Sequence, residues 1–305
     1  MNSLLETPAG FRSGFVAVLG RPNVGKSTLI NTLLEQKIAA VSPRPQTTRK
    51  RQLGILTTPE AQIIFVDTPG VHQPKHKLGE AMNHQAQEAL IDSDLVLFMV
   101  DASQSPTSED LMLAELILSI ENPPSVLLLL NKADLLSTVQ MEERRLQYQK
   151  ILPSAMALVV SALHRANLDQ LLVTIQQQLP EGPLYFSPNQ VTDLFEREIA
   201  ADLIREAALL HLRDEVPHGI AVRIDEYKDR DEHNAYIAAT LLLERESHKS
   251  IVIGQKGTML KQIGTSARLE IEKMTERRVF LELRVKVRKN WRNDESTIRL
   301  LGLSG

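Results

Sequence analysis

The sequence predicts two domains of different class. Residues 14–180 read as an α/β domain with a mostly parallel sheet and helices on both faces, and residues 191–305 as a smaller α+β domain. Three observations carry this. Short apolar runs alternate with helical patterns through the first 180 residues, the rhythm of a parallel sheet with crossover helices. Pro180-Glu181-Gly182-Pro183, with Pro188 soon after, breaks that rhythm and marks a linker over 181–190. A chain of 305 residues is also too long for one ordinary core.

The elements follow in order. Residues 1–13 are expected as a flexible arm; Met1 to Arg12 lacks the basic start and apolar stretch of a secretory signal. Strands are expected at Phe15–Leu19, Ile63–Val66, Leu95–Val100, Val126–Leu130 and Ala157–Val160, helices at Ser27–Leu34, Leu78–Leu90, Asp110–Ile120, Met141–Ile151 and Leu168–Leu179. Beyond the linker the order changes to a helix over Asp193–His211, strands near Ile220–Ile224 and Ala235–Leu243, helical segments around Ser250–Ile253 and Thr258–Met274, and a strand at Val279–Val287. That α-β-β-α-α-β order requires a three-stranded sheet with helices packed on it.

Composition removes several chemistries. With no cysteine, disulfides, thiolate zinc sites and cysteine catalysis are excluded, which fits a reducing cytoplasm. The eight histidines show no paired metal-ligand spacing. No apolar run approaches the roughly 20 residues that span a bilayer. The net charge of −3 hides an asymmetry: residues 249–299 carry 13 basic and 6 acidic side chains, residues 181–248 carry 7 and 15. The C-terminal stretch is either a polyanion-binding surface or a solvated face.

Gly20-Arg21-Pro22-Asn23-Val24-Gly25-Lys26-Ser27 follows the first strand and opens a helical pattern that continues through Thr28, the context of a phosphate-binding P-loop. Its backbone N–H groups can cradle phosphate oxygens, Lys26 can reach the β- and γ-phosphates, and Ser27 can ligate Mg²⁺. Asn131-Lys132-Ala133-Asp134 follows another buried run and reads guanine, because a carboxylate at Asp134 accepts from both N1–H and the exocyclic amine. Asp67-Thr68-Pro69-Gly70 stands at a strand end, where Asp67 is placed to act on Mg²⁺ directly or through water and Gly70 to sense the γ-phosphate. In the polar segment Ser42 to Arg49, Thr47 or Thr48 can complete Mg²⁺ coordination, with Thr48 favoured. Ser161-Ala162-Leu163 can offer guanine O6 a backbone N–H from Ala162.

GRPNVGKS, QTTR, DTPG, NKAD and SAL occur in the order and spacing of the motifs of translation-factor-class GTPases, which they closely resemble. In the basic stretch, Gly254-Gln255-Lys256-Gly257 between two helical segments resembles the GxxG turn of a KH domain of the bacterial type (type II), which clamps the sugar-phosphate backbone of a short single strand. Lys249, Lys256, Lys261 and Arg268 gather around it. Ile251, Val252, Ile253, Met259, Leu260 and Ile263 are shared between groove wall and core in a division the sequence leaves open. With 4% aromatic residues, recognition should rest on base edges and aliphatic contact more than on stacking.

The combination resembles the Era-type bacterial GTPases, a TrmE-Era-EngA-like group with a C-terminal KH domain, from about Gly14 to Leu303; RPNVGKSTL, QTTR, VDTPG, NKAD, IGQKG and LRVKVRKNW carry the likeness. The resemblance implies a slow GTPase, cycling between GTP and GDP, whose KH domain binds the 3′ end of 16S ribosomal RNA during maturation of the 30S subunit. It also implies a loose peripheral association with the cytoplasmic face of the membrane, for which the sequence shows no anchor; a cytoplasmic monomer is expected. Ras-like enzymes place a water-orienting glutamine after the D-x-x-G glycine, and this chain has Val71. Related GTPases with an apolar residue there use an asparagine in the P-loop to hold K⁺, here Asn23; Arg21 and Arg49 are alternative cis cations. Two rival readings stand beside this one: a GTP-sensing RNA-binding module with negligible turnover, and a membrane or tRNA-modification GTPase sharing the same first domain.

Overall fold

The computed structural model describes residues 7–42 and 47–304. Pro43 to Gln46 of the segment before Arg49, and the first six residues of the expected arm, lie outside the described residues. The chain forms two compact units. Among the described residues, the first comprises those up to Ile38 with Thr48–Gln73 and Met82–Asp193; the second comprises Ala39–Thr47, Pro74–Ala81 and the chain from Leu194.

The first unit is a six-stranded sheet in the order β2-β3-β1-β4-β5-β6. Its strands are β1 Arg12–Leu19, β2 Gln52–Thr57, β3 Ala61–Asp67, β4 Leu95–Asp101, β5 Ser125–Asn131 and β6 Met156–Val159. All neighbours pair in parallel except β2, which runs antiparallel to β3. Every residue of β3 and β4 is buried, as expected where helices cover both faces of a parallel sheet. The helices are α1 Lys26–Leu34, α2 Lys77–Ile91, which belongs to this unit from Met82, α3 Ser108–Leu118, α4 Thr138–Ile151 and α5 Leu168–Gln178.

Two differences from expectation have local causes. Helices α3 and α4 start before their apolar patterns do, because Thr107 with Asp110 and Ser137 with Gln140 form capping boxes. Strand β2 was not expected at all. It is short and interrupted by Gly54, where an added Cβ would lie 2.8 Å from Ile30 and 2.9 Å from Leu34 of α1; the glycine that hides the strand in the sequence admits the helix in the fold.

Residues 181–193 lie against the first unit. The Gln62 amide oxygen accepts from the N–H groups of Tyr185 (2.8 Å) and Phe186 (3.0 Å), Ile55 N–H donates to Val191 O at 2.9 Å, and Leu53 N–H to Asp193 Oδ1 at 2.9 Å. The proline-rich segment, expected as a linker, is therefore a strap bonded to β2 and β3, and α6 starts after it, at Glu196, not at Asp193.

The second unit contains α6 Glu196–His211, β7 Ala221–Asp231, β8 Asn234–Leu243, α7 Glu246–Ile253, α8 Thr258–Thr275, β9 Arg278–Val287 and a short α9 Glu295–Leu300. The sheet order is β7-β8-β9, antiparallel then parallel. Ile199, Leu203, Ile204, Ile237, Leu241, Val252, Ile263 and Ile271 build its core. The expected α-β-β-α-α-β order is present, extended by α9, whose cap Asp294 accepts from Ser296 N–H. Among the described residues no helix is long and apolar enough to cross a membrane.

Candidate nucleotide site and nucleic-acid interface

The P-loop connects β1 to α1 at the carboxyl edge of the sheet, where open α/β sheets bind ligands. Gly25, with φ +107°, caps α1 with no side-chain bond to the first turn, so the N–H groups there are left for phosphate. Thr28 lies on that turn. The Lys26 amine is buried and donates to Gly20 O (2.9 Å) and Arg21 O (3.1 Å). Burial pulls it down to about 8, outweighing the pull of Asp67 in the other direction. A phosphate would restore the charge that burial disfavours.

Beneath the loop lies a compact oxygen cluster. Asp67, fully buried at the end of β3, accepts on Oδ2 from Ser27 Oγ (2.9 Å), Thr48 Oγ1 (3.1 Å) and Gln52 Nε2 (3.2 Å). It is Thr48 whose hydroxyl also lies 2.9 Å from Ser27 Oγ. Asp67 Oδ1 is buried with no hydrogen-bond partner, and burial raises the Asp67 carboxyl above its ordinary value against the attraction of Lys26 and the three donors. A buried carboxylate with one orphaned oxygen beside two hydroxyls is a hard-oxygen donor set, and it fits Mg²⁺ shared with nucleotide phosphates. Gln52 is the member the sequence did not single out, since it sits on the strand that was not expected.

Gly70 brings the DTPG turn against the P-loop: an added Cβ would meet Pro22 N at 2.7 Å and Pro22 Cα at 2.8 Å. Val71 is 4% exposed and belongs to the first core. Of the candidate cis cations, Arg21 is engaged elsewhere, with Gln104 Oε1 at 2.9 Å and Asp110 at 3.5 Å, and Arg49 is buried.

The base side is assembled by Asn131, which donates to Val24 O at 2.7 Å and accepts from Ala162 N–H at 2.9 Å. The Ala162 amide, expected to serve guanine O6, is held by Asn131; the Leu163 amide has no protein acceptor among the described residues. Ser161 Oγ donates to Asp134 Oδ1 at 2.5 Å and aims that carboxylate. Lys132 reaches Asp101 at 2.7 Å. Burial pushes Asp101 up, but hydrogen bonds from Lys132 and Ser103 outweigh it and hold the carboxyl below its usual range.

In the second unit Gly254 to Gly257 form the turn between α7 and α8, with Lys256 (φ +52°) and Gly257 (φ +79°) left-handed and Gly254 at φ +73° with extended ψ, a conformation open to glycine. Gln255 and Lys256 are exposed at its tip. Behind it runs a groove of about 370 Å³ lined by Leu260, Lys261, Gly264, Arg268, Leu281 and Leu283, among others. Val252 and Ile263 are fully buried in the core, Ile251 is exposed, and Ile253 is half-buried, the division the sequence left open. Lys249 pairs with Glu246 at 3.7 Å and Arg268 with Glu272 at 2.7 Å. Leu281 and Leu283 were missed because β9 looks like any core strand; the structure places them in the groove wall opposite Leu260, Lys261 and Gly264 of α8.

The two sites define a P-loop GTPase joined to a KH-type RNA-binding domain. Comparison with known proteins agrees: a family described as 50S ribosome-binding GTPase matches residues 15–132, and the KH domain family matches residues 215–292. GTPase Era of Ruminiclostridium cellulolyticum is 45% identical over 292 residues, covering 96% of this chain and 97% of its own, and GTPase Era of Geobacter metallireducens is 45% identical over 293 residues, covering 96% and 98%. A crystal structure of Era in complex with MgGDPNP and nucleotides 1506–1542 of 16S ribosomal RNA superposes with TM-score 0.93 at 40% identity, covering 97% of this chain and 100% of that one. An Aquifex aeolicus Era variant bound to GDP·AlF4⁻ superposes with TM-score 0.92. This chain belongs to the Era family of GTPases, and it is a GTP-hydrolysing enzyme.

Proposed function

We propose that the chain is a Mg²⁺-dependent GTP switch whose KH unit takes the 3′ end of 16S rRNA and which acts in small ribosomal subunit assembly, as a monomer in the cytoplasm. One observation carries this: the same chain holds the Ser27, Thr48 and Asp67 cluster under the P-loop and a basic, aliphatic groove behind a GxxG turn, and a relative of the same fold was crystallised with MgGDPNP and nucleotides 1506–1542 of 16S rRNA. In this reading Gly20, Asn23, Val24, Gly25, Lys26, Ser27 and Thr28 take the phosphates, Asn131, Lys132, Asp134, Ser161, Ala162 and Leu163 the base, and Ser27, Thr48 and Asp67 the metal. Mg²⁺ supplies charge neutralisation between the β- and γ-phosphates. The KH side is Lys249, Ile253, Gly254, Gln255, Lys256, Gly257, Lys261 and Arg268.

With Val71 in the core, water must be positioned by other groups, so intrinsic turnover is slow. Asn23 would help hold K⁺ beside the phosphates, where the ion would supply the charge that Arg21, tied to Gln104 and Asp110, does not. Peripheral contact with the membrane is carried over from the family. Single-turnover phosphate release tests the reading: hydrolysis accelerated by small subunits supports it, whereas negligible release with and without them leaves a GTP-sensing RNA-binding module. Replacing K⁺ by Na⁺ at equal ionic strength should slow release, and Asn23→Ala should erase the difference.

A further inference from the structure

Among the described residues three donors converge on one oxygen of Asp67, and two of them have a second duty. Ser27 Oγ and Thr48 Oγ1 carry lone pairs as well as protons, so each can serve a hard cation as a ligand. The third donor, Gln52 Nε2 at 3.2 Å, has no lone pair to give a cation. Its orientation follows from chemistry: an ionised carboxylate only accepts, so the nitrogen of the Gln52 amide, not the oxygen, must face Asp67. Gln52 can therefore hold the carboxylate with and without the metal.

The backbone sets up this contact. Gln52 opens β2, Asp67 closes β3, and the antiparallel register places the two directly opposite each other. Opposed residues share a face of the sheet, with Cβ atoms about 4.5–5.5 Å apart, a span suited to a carboxylate and an amide of this length. Leu53 N–H, the next in β2, donates to Asp193 Oδ1 at 2.9 Å, so the strand that carries Gln52 is held on its other edge as well. Both side chains are shut away from solvent, Asp67 at 0% and Gln52 at 4% exposure. Water cannot readily replace a donor lost there. Without Gln52 the carboxylate turns more freely about its Cβ–Cγ bond, and the orphaned Oδ1 loses its fixed heading.

We propose that Gln52 is a positioning residue of the metal site: its amide fixes the Asp67 carboxylate and so sets how tightly the nucleotide complex holds Mg²⁺. The proposal rests on the reading of Ser27, Thr48 and Asp67 as the metal cluster. Hydrogen-bond partners of metal-binding carboxylates typically account for about 10–100-fold in metal affinity. Gln52 shares Asp67 with two hydroxyls and belongs at the lower end of that range.

The test is Mn²⁺ binding to the full chain loaded with GDP, read from the EPR signal of the free ion, and its displacement by Mg²⁺. Gln52→Met, similar in length and without a donor, should weaken both ions roughly 10-fold while GDP affinity measured in EDTA is kept. A merely structural role does the reverse, lowering metal-free GDP affinity and leaving the metal affinity of the loaded protein in place. Gln52→Asn keeps an amide in the strand but lacks one methylene of reach; it carries the same prediction if the apolar variant does not fold. Asp67→Asn separates the proposal from the reading beneath it. Unchanged metal affinity in Asp67→Asn would remove the metal cluster and the proposal with it, whereas a loss there with none in either Gln52 variant overturns the proposal alone. Combining Gln52→Met with Asp67→Asn should cost no more metal affinity than Asp67→Asn by itself; a further loss of roughly 10-fold would mean that Gln52 does not act through Asp67.

Discussion

Lys26 enters the site with its charge already disfavoured, and this gives nucleotide binding a pH signature. Burial pulls its amine from the ordinary 10.5 down to about 8 in the free protein. Phosphate favours the charged form, so the value in the complex is higher and binding takes up a proton. GTP affinity is then level below the free-protein value and falls as pH rises through about 8; from pH 7 to pH 9 the expected loss is roughly ten-fold. Titration calorimetry in buffers of different ionisation enthalpy should show proton uptake near pH 8, and a flat profile would mean that Lys26 does not meet the phosphates. Asp134 governs the other end. Asp134→Asn should lower GTP affinity by about 1–3 kcal/mol and improve binding of xanthosine triphosphate, with equal GTP affinity in both proteins counting against the guanine assignment. At this scale the motif residues were legible because their chemistry demands those residue types at those spacings. Gln52 and the diversion of the Ala162 amide to Asn131 were not, since both depend on which strand and loop lie opposite.

Whole elements meet at glycines, and two pairs make this measurable. Gly70→Ala would drive a methyl group into the Pro22 backbone; overpacking of this kind costs about 1–3 kcal/mol. It should weaken nucleotide binding, and with it the nucleotide-dependent gain in RNA affinity, while the nucleotide-free affinity of the KH unit for RNA persists. In the GxxG turn the two glycines differ. A Cβ on Gly254 would meet Met259 Cβ and N at 2.7 Å, whereas one on Gly257 meets nothing within 4 Å. Gly257→Ala should cost only the left-handed backbone, about 1–2 kcal/mol, and Gly254→Ala roughly twice that, readable as the larger drop in denaturation midpoint. The alternation of apolar runs with helices made most elements legible, while β2 was lost to Gly54 and α9 to a sequence too short to show a period. The strap over 181–193 reads as a linker because its bonds are made by the distant Gln62 and β2.

For the molecule as a whole, the account joins a nucleotide site and an RNA groove that share no residue. Acidic replacements at Gln255 and Lys256 should abolish binding of a 16S 3′-end fragment by charge repulsion, with GTP binding intact; phosphate contacts dominate such affinities and their salt dependence. The class of both domains was legible from motif order, but the path of the chain between them was not, because linker composition reports turns and not what a segment lies against. The central claim is that nucleotide state governs RNA binding, and the affinity of the full chain for a single-stranded 16S 3′-end fragment, measured with Mg²⁺·GDPNP and again with Mg²⁺·GDP, tests it most directly. A switch of ordinary strength, about 1–3 kcal/mol of coupling, predicts roughly 5- to 150-fold tighter binding in the triphosphate state; equal affinity in both states would contradict it.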